Sequence, residues 1–260
     1  MEETNHFQSK PFYYRLYGDY ALFTDPVTKG GGEKFTYQIP TYQAIKGITE
    51  QIYWKPTIYI VIDELVVMNR IVTETMGARP IITTGKKPGN DLSNYTYLRD
   101  VDYLIKFHFE WNLNRPDLAK DRNEFKHQAI ILRSLERGGR RSIFLGTSEC
   151  MGFVERLSEK DYYETARESY YKQSNVSYGI MFHSFTYPDE QIGNEAEDDL
   201  QLYSNYTPIQ MKKGKISFCR PEDCQMQQVV NNYHFKTFNE ANMTLVDEEY
   251  QAMGLEGTEQ

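Results

Sequence analysis

The chain has 260 residues, of which 40% are apolar and 25% charged, with a net charge of −8. That composition belongs to a soluble globular protein of one large domain or two modest ones. No apolar run approaches the roughly 20 residues that cross a bilayer, and Met1 to Lys10 lacks the apolar stretch of a secretory signal, so a cytoplasmic protein with no membrane partner is expected.

The charge is unevenly spread. From Asp189 to Gln260 there are 14 acids and 5 bases, a balance of −9, which leaves +1 for the rest. Arg99 to Arg141 holds 10 bases against 7 acids. Local charge sets phosphate affinity, so the total does not exclude RNA, although it argues against indiscriminate nucleic-acid binding.

In chain order, Phe12 to Phe23 reads as a first strand, followed by the loop signals Asp25-Pro26 and Gly30-Gly31-Gly32. Thr41 to Trp54 reads as a helix with Thr41 as N-cap. Ala44, Ile45, Ile48 and Ile52 form its buried stripe, and Pro56 stops it. Tyr53 then falls on the last turn, where a side chain can lean out of the packed face. Thr57 to Met68 reads as a buried strand, and Glu74 to Asn94 as a loop or loose hairpin. Val101 to Trp111 alternates as a strand, with Tyr103, Ile105, Phe107, Phe109 and Trp111 on one face and Asp102, Lys106, His108 and Glu110 on the other.

Asp121 to Arg137 reads as a second helix. Asp121 and Glu124 have capping-box spacing, and Gly138-Gly139 closes the helix. Ser142 to Gly146 and Cys150 to Val154 are short strands. The order strand, helix, strand, strand, helix, strand is that of a ferredoxin-like (RRM-like) fold. The expected class is therefore α+β. Residues 1–155 form the ferredoxin-like domain, and residues 156–260 form a smaller antiparallel β-sheet domain with a polar acidic tail. Its strands are placed at Ser177 to Tyr187, Leu200 to Tyr203 and Lys215 to Cys219.

Few segments suggest chemistry. Lys126-His127, near a helix N-terminus, is electropositive. An imidazole there can move a proton near pH 7, and an ammonium can neutralise developing phosphate charge. Such a pair is more often a solvated helix face, and a tyrosine such as Tyr53 usually packs its ring and wets its hydroxyl. Arg137-Gly138-Gly139-Arg140-Arg141 is the most phosphate-like segment: glycines can open backbone N–H groups to an anion and arginines add charge-assisted contacts. A helix C-cap with a solvated turn accounts for it equally well. Gly30-Gly31-Gly32-Glu33-Lys34 lacks P-loop spacing, and no HExxH, GxSxG or paired-carboxylate motif occurs. Cys150, Cys219 and Cys224 read as free thiols. Cys219 and Cys224 with His234 would be an incomplete zinc set, short of the usual four ligands. The other histidines, His6, His108 and His183 among them, read as structural. No cofactor or metal is expected.

Several blocks together resemble one family. They are Gly18 to Pro26, Pro40 to Ile48, Ile52 to Thr57, Asn114 to Ala119, Arg122 to Glu124, Gly138 to Arg141 with Ile143 to Gly146, and Arg220 to Cys224. The family is the subtype I-C branch of the fifth CRISPR-associated family, within the repeat-associated RNA-binding superfamily, and the likeness runs over about 12–240. It implies a ferredoxin-like N-terminal domain and a C-terminal antiparallel sheet. It also implies a metal-independent endoribonuclease that cuts CRISPR precursor RNA at the 3′ base of the repeat hairpin and then stays on the 5′ handle of the mature guide. Implied partners are repeat hairpin RNA, mature guide RNA and the other subtype I-C Cascade subunits, with duplex DNA a further candidate. The family's catalytic tyrosine falls on Tyr53 and its Lys-His pair on Lys126 and His127; Phe125 stands where a member of the family has Gly. Arg137, Gly138, Gly139, Arg140 and Arg141 are the candidate RNA-binding residues. The chemistry to expect is attack of a ribose 2′-hydroxyl on its own phosphate. It leaves a 2′,3′-cyclic phosphate and a 5′-hydroxyl, with Tyr53 positioning, His127 as general acid or base and Lys126 stabilising charge. The competing reading is a non-catalytic subunit that grips the guide handle or DNA.

Overall fold

A computed structural model describes residues 7–26, 28, 33–79, 81–82, 89–90, 92–188 and 200–233. His6, His234, the triple glycine and most of the acidic last quarter lie outside them. The strands are β1 (Phe12–Ala21), β2 (Lys34–Phe35), β3 (Ile58–Val67), β4 (Val72–Ala78), β5 (Ile81–Ile82), β6 (Gly89–Asn90), β7 (Ser93–Trp111), β8 (Ile143–Phe144), β9 (Met151–Leu157), β10 (Asn175–Thr186), β11 (Leu200–Lys212), β12 (Lys215–Ser217) and β13 (Met226–Tyr233). The helices are α1 (Tyr42–Ile52), α2 (Glu124–Glu136) and α3 (Glu159–Ala166). The class is α+β with a mostly antiparallel sheet, ordered β10-β11-β12-β3-β7-β1-β9-β8. None of the described helices is long and apolar enough to cross a membrane.

The first half of the chain supplies β3-β7-β1-β9, all antiparallel neighbours, with α1 between β1 and β3 and α2 between β7 and β9. Both helices pack on one face. Ile45, Ile48 and Ile52 of α1 and Ile131 and Leu135 of α2 join Tyr14, Leu16, Ile105, Phe107 and Phe109 in the main core. On the opposite face a smaller cluster of Tyr13, Val66, Met68 and Leu104 packs under Tyr162 of α3. Strands β10, β11 and β13 are antiparallel, and β12 joins them to the first half by pairing Lys215, Ile216 and Ser217 with Val66, Leu65 and Glu64.

Several expectations change here. Strand β7 begins at Ser93, and β4 pairs with it from Val72↔Arg99 to Ala78↔Ser93, so of the two expectations for Glu74 to Asn94 the hairpin holds, with regular paired arms. The alternation of β7 does not by itself say whether its polar face meets water. Asp102, His108 and Glu110 are all buried, because β7 is central and their charges find partners: Arg15 donates twice to Asp102, Asp63 bonds His108, and Arg220 donates twice to Glu110. Helix α2 is capped by Asn123, whose Oδ1 accepts from Lys126 N–H, rather than by Asp121. Pro116 starts a 3-10 turn that ends at Asp121, so Asp121 is spent before the helix begins. The α3 helix and the β13 strand were not expected at all.

Gly146 closes the turn after β8 against the end of β1. It has φ +96°, and a Cβ there would sit 2.1 Å from the Leu22 carbonyl oxygen. Gly146→Ala should therefore destabilise on the order of 3 kcal/mol, from strain and a backbone clash. Gly47→Ala, in α1 with nothing within 4 Å, should instead stabilise by about 0.5–1 kcal/mol. Thermal unfolding of the two variants checks both signs.

Candidate catalytic cleft

Helix α1 ends where Thr49 O accepts from the Tyr53 N–H and the chain turns extended at Tyr53, ahead of Pro56. Tyr53 is thus the C-cap of α1, not a residue leaning from its last turn, and it is only 2% exposed. The extended backbone turns its ring toward the start of α2. There the phenol oxygen lies 2.8 Å from His127 Nδ1, although 74 positions separate the two residues.

His127 is fully buried, with Phe109 and Trp111 edge-on to its ring at 6.0 and 5.6 Å. Its Nε2 lies 2.8 Å from the Asp121 carbonyl oxygen. A carbonyl can only accept, so Nε2 carries the proton, and Nδ1 presents a lone pair to the Tyr53 O–H. In the neutral ring the phenol is then the donor and Nδ1 the acceptor. Burial pushes the Tyr53 phenol above its ordinary value, and the nearby Asp121 carboxylate pushes it further; Arg140 pulls the other way.

Lys126 reaches back to the Asp121 carboxylate, which also accepts from Thr57 Oγ1 at 2.9 Å and lies 3.6 Å from His127 Nε2. The hydrogen bond from Lys126, aided by that from Thr57, holds Asp121 below the usual carboxylate range. Asp121 thus joins both members of the Lys-His pair, a role hidden from the sequence by its resemblance to a helix cap. Phe125 is 79% exposed, and no ring contact joins it to Tyr53 or His127 among the described residues.

Tyr53 forms part of the wall of a cleft of about 530 Å3 with Gly47, Gln51, Trp54, Arg140 and Arg141. Trp54 is half exposed, and the Arg140 guanidinium sits 5.8 Å from the Tyr53 ring centre. A second hollow beside it is lined by Arg133, Arg137 and Arg140. Glu50 and Lys55 line the first cleft as well, so a phosphate there would meet one carboxylate among its cations. The two glycines do something else. Gly138 (φ +76°) and Gly139 (φ +109°) send their N–H groups to Leu135 O and Ser134 O, ending α2. Those amides are occupied, which leaves the arginine side chains as the anion-binding groups of this segment. Sequence reasoning gave no role to Gln51, whose Oε1 accepts from the Phe144 N–H of β8, and none to Trp54 beyond its place in the Ile52 to Thr57 block.

Comparison with known proteins gives one consistent picture. The Cas5d family profile, described as CRISPR-associated protein (Cas_Cas5), matches residues 13–219. A CRISPR pre-crRNA endoribonuclease Cas5d from Mannheimia succiniciproducens is 31% identical over 145 residues, 47% of this chain. That match covers 61% of the curated relative, or about three fifths of its length. Two crystal structures align with a TM-score of 0.70 over 86% of the chain. One, of a CRISPR-associated protein, is 41% identical with 99% of its chain covered. The other, of a functionally uncharacterized Streptococcus mutans protein, is 43% identical and wholly covered.

Proposed function

The chain belongs to the Cas5d branch of the Cas5 family of CRISPR-associated proteins, and from that premise we propose that it is the endoribonuclease that cuts CRISPR precursor RNA at the 3′ base of the repeat hairpin. The observation that carries this reading is the Tyr53 phenol, hydrogen-bonded to His127 and set in the wall of an arginine-rimmed cleft. The related Cas5d endoribonuclease supports it. On the same reading the protein keeps the 5′ handle of the guide, joins the other subtype I-C Cascade subunits and works in the cytoplasm.

The geometry favours a particular division of labour. His127 is fully buried and Tyr53, only 2% exposed, lines the cleft in front of it, so on this reading RNA reaches the phenol after a local opening of the cleft wall. The 2′-hydroxyl gives its proton to the Tyr53 oxygen as the Tyr53 proton passes to His127 Nδ1. The freed 2′-oxygen then bonds to phosphorus. The resulting imidazolium lies against the Asp121 carbonyl and carboxylate, which stabilise it. As the P–O5′ bond breaks, the proton returns through Tyr53 to the leaving 5′-oxygen, so the net transfer is from 2′-oxygen to 5′-oxygen. A raised phenol pKa makes Tyr53 a poor base by itself but an adequate relay. Lys126, exchanging Asp121 for phosphate, balances charge on the phosphorane, with Arg140 and Arg141 beside it. Every step uses protein groups and the ribose hydroxyl, so we read the cut as metal-independent.

We also read residues 1–155 as a ferredoxin-like RNA-processing unit, on the strength of its β3-β7-β1-β9 order with two helices on one face, and residues 156–260 as the β-rich remainder. Repeat RNA incubated with the protein in EDTA should give a 2′,3′-cyclic phosphate and a 5′-hydroxyl. A repeat with one 2′-deoxy sugar just upstream of the cut should bind as tightly and stay intact. Cleavage of the deoxy substrate, or a requirement for magnesium, would overturn the scheme; binding without cutting of all-ribose RNA would mark a guide-holding subunit.

A further inference from the structure

A second cluster lies away from the cleft and shares none of its lining residues. Strand β10 carries a bulge between the pairs Phe182↔Tyr206 and Ser184↔Asn205, and the residue within it is His183. A bulge re-aims a side chain. His183 is fully buried here, stacked on Tyr42 at 4.4 Å and edge-on to Phe218 at 5.8 Å. Its Nδ1 lies 2.9 Å from Ser184 Oγ, which also accepts from Asn205 Nδ2 at 3.2 Å. Its Nε2 is buried with no hydrogen-bond partner of normal geometry. The Cys219 backbone favours ring protonation, but burial outweighs it and pushes the imidazole down to about 4.

The missing partner has a chemical candidate. A ring nitrogen of His183 and the thiols of Cys219 and Cys224 lie within 4.8 Å of one another. The two sulfurs are 3.8 Å apart, far beyond a disulfide bond. Two thiolates at about 2.3 Å from a tetrahedral zinc would stand about 3.8 Å apart. Four residues separate the cysteines, a spacing found in zinc sites, and the 3-10 turn Pro221–Asp223 folds them together. With Nδ1–H donating to Ser184, Nε2 would offer a bare lone pair held in place by a second hydrogen-bonding layer, the usual support of a metal-bound histidine.

We propose that His183, Cys219 and Cys224 form a zinc site, with a fourth position open to solvent or an added ligand. Zinc displaces one proton from each thiol and ties three segments together: β10, the end of β12 and the turn before β13. It would clamp Arg220 next to its partner Glu110. Its role is structural, since Tyr53 and His127 supply the chemistry of the cleft. The sequence also placed His234 near these cysteines, and it lies outside the described residues; among those described, the fold brings His183 to them.

Cobalt(II) added to the reduced full-length chain is the direct probe, because thiolate-to-cobalt charge transfer absorbs in the near ultraviolet. The expected result is a band that saturates at one equivalent, is displaced by zinc, and disappears in Cys224→Ser. Zinc should also raise the melting temperature of the wild-type chain and shield two thiols from alkylation. Cys224 is only partly buried, so that variant should fold; circular dichroism checks it. No band in the wild type, a band unchanged in Cys224→Ser, or a Cys219–Cys224 disulfide formed in preference to metal binding would each overturn the proposal.

Discussion

Tyr53→Phe should cut the single-turnover cleavage rate on repeat RNA by about 10²–10⁴-fold, the usual worth of a positioned proton-transfer group, while the binding constant stays unchanged. The ring remains, so the wall of the cleft keeps its shape. Only the hydroxyl goes, and with it both the contact to the 2′-hydroxyl and the hydrogen bond to His127. Some stability goes too, on the order of 1–3 kcal/mol, because Nδ1 of a fully buried imidazole loses its donor. His127→Ala should cost a similar factor in rate. The informative experiment is the double variant. If the proton passes through the phenol to the imidazole, the two residues act as one unit. The double variant should then be no slower than the worse single variant. If each acts on a different substrate oxygen, the two losses should multiply. Multiplicative losses would replace the relay with two independent groups, and near-normal cutting by His127→Ala would remove that residue from the mechanism. Binding measured alongside at fixed salt separates these effects from loss of RNA affinity.

Arg220→Ala should destabilise by about 1–3 kcal/mol, less than a fully buried pair because the Arg220 side chain is 42% exposed while Glu110 is not. Arg220 Nη1 and Nη2 donate to both oxygens of Glu110 at 2.8 and 2.9 Å, and the Glu110 side chain is only 10% exposed. Burial alone would raise the Glu110 carboxyl. The hydrogen bonds from Arg220 and His108 override that and hold it at about 2, against an ordinary value of 4.5. Because the folded value is depressed, the stabilisation is complete above about pH 4.5 and is lost as pH falls toward 2. The wild type should thus lose stability across that window. The gap between it and Arg220→Ala should narrow in the same range, as protonation relieves the stranded carboxylate. Arg220→Lys should recover only part, since one ammonium cannot reproduce a two-pronged guanidinium contact. Urea unfolding at neutral pH and through the acid range measures both effects. A pH-independent difference would show that the ion pair is not its source.

Local order was legible in the sequence wherever the chain itself enforces it. The periodic isoleucines of α1, its Thr41 cap, the proline that stops it and the apolar run of β3 all appear in the fold, because each depends on residues within one or two turns. The resemblance also pointed to Tyr53, Lys126 and His127, and folding does bring the phenol against the imidazole. Position in the sheet was not legible. Strand β7 is central, and its acids are buried and paired by Arg15 and Arg220 from distant segments and by His108 two positions away. The orientation of Tyr53 was likewise decided by packing, since the extended C-cap turns its ring inward to a residue 74 positions away. Asp121 looked like a cap because capping is read from spacing, whereas the 3-10 turn before α2 moved the cap to Asn123 and left Asp121 to bind Lys126. The His183 cluster exists only through a bulge in β10 and a turn near the chain's end. Hydrogen bonds and packing between segments far apart in the chain set those positions, and no local pattern encodes them.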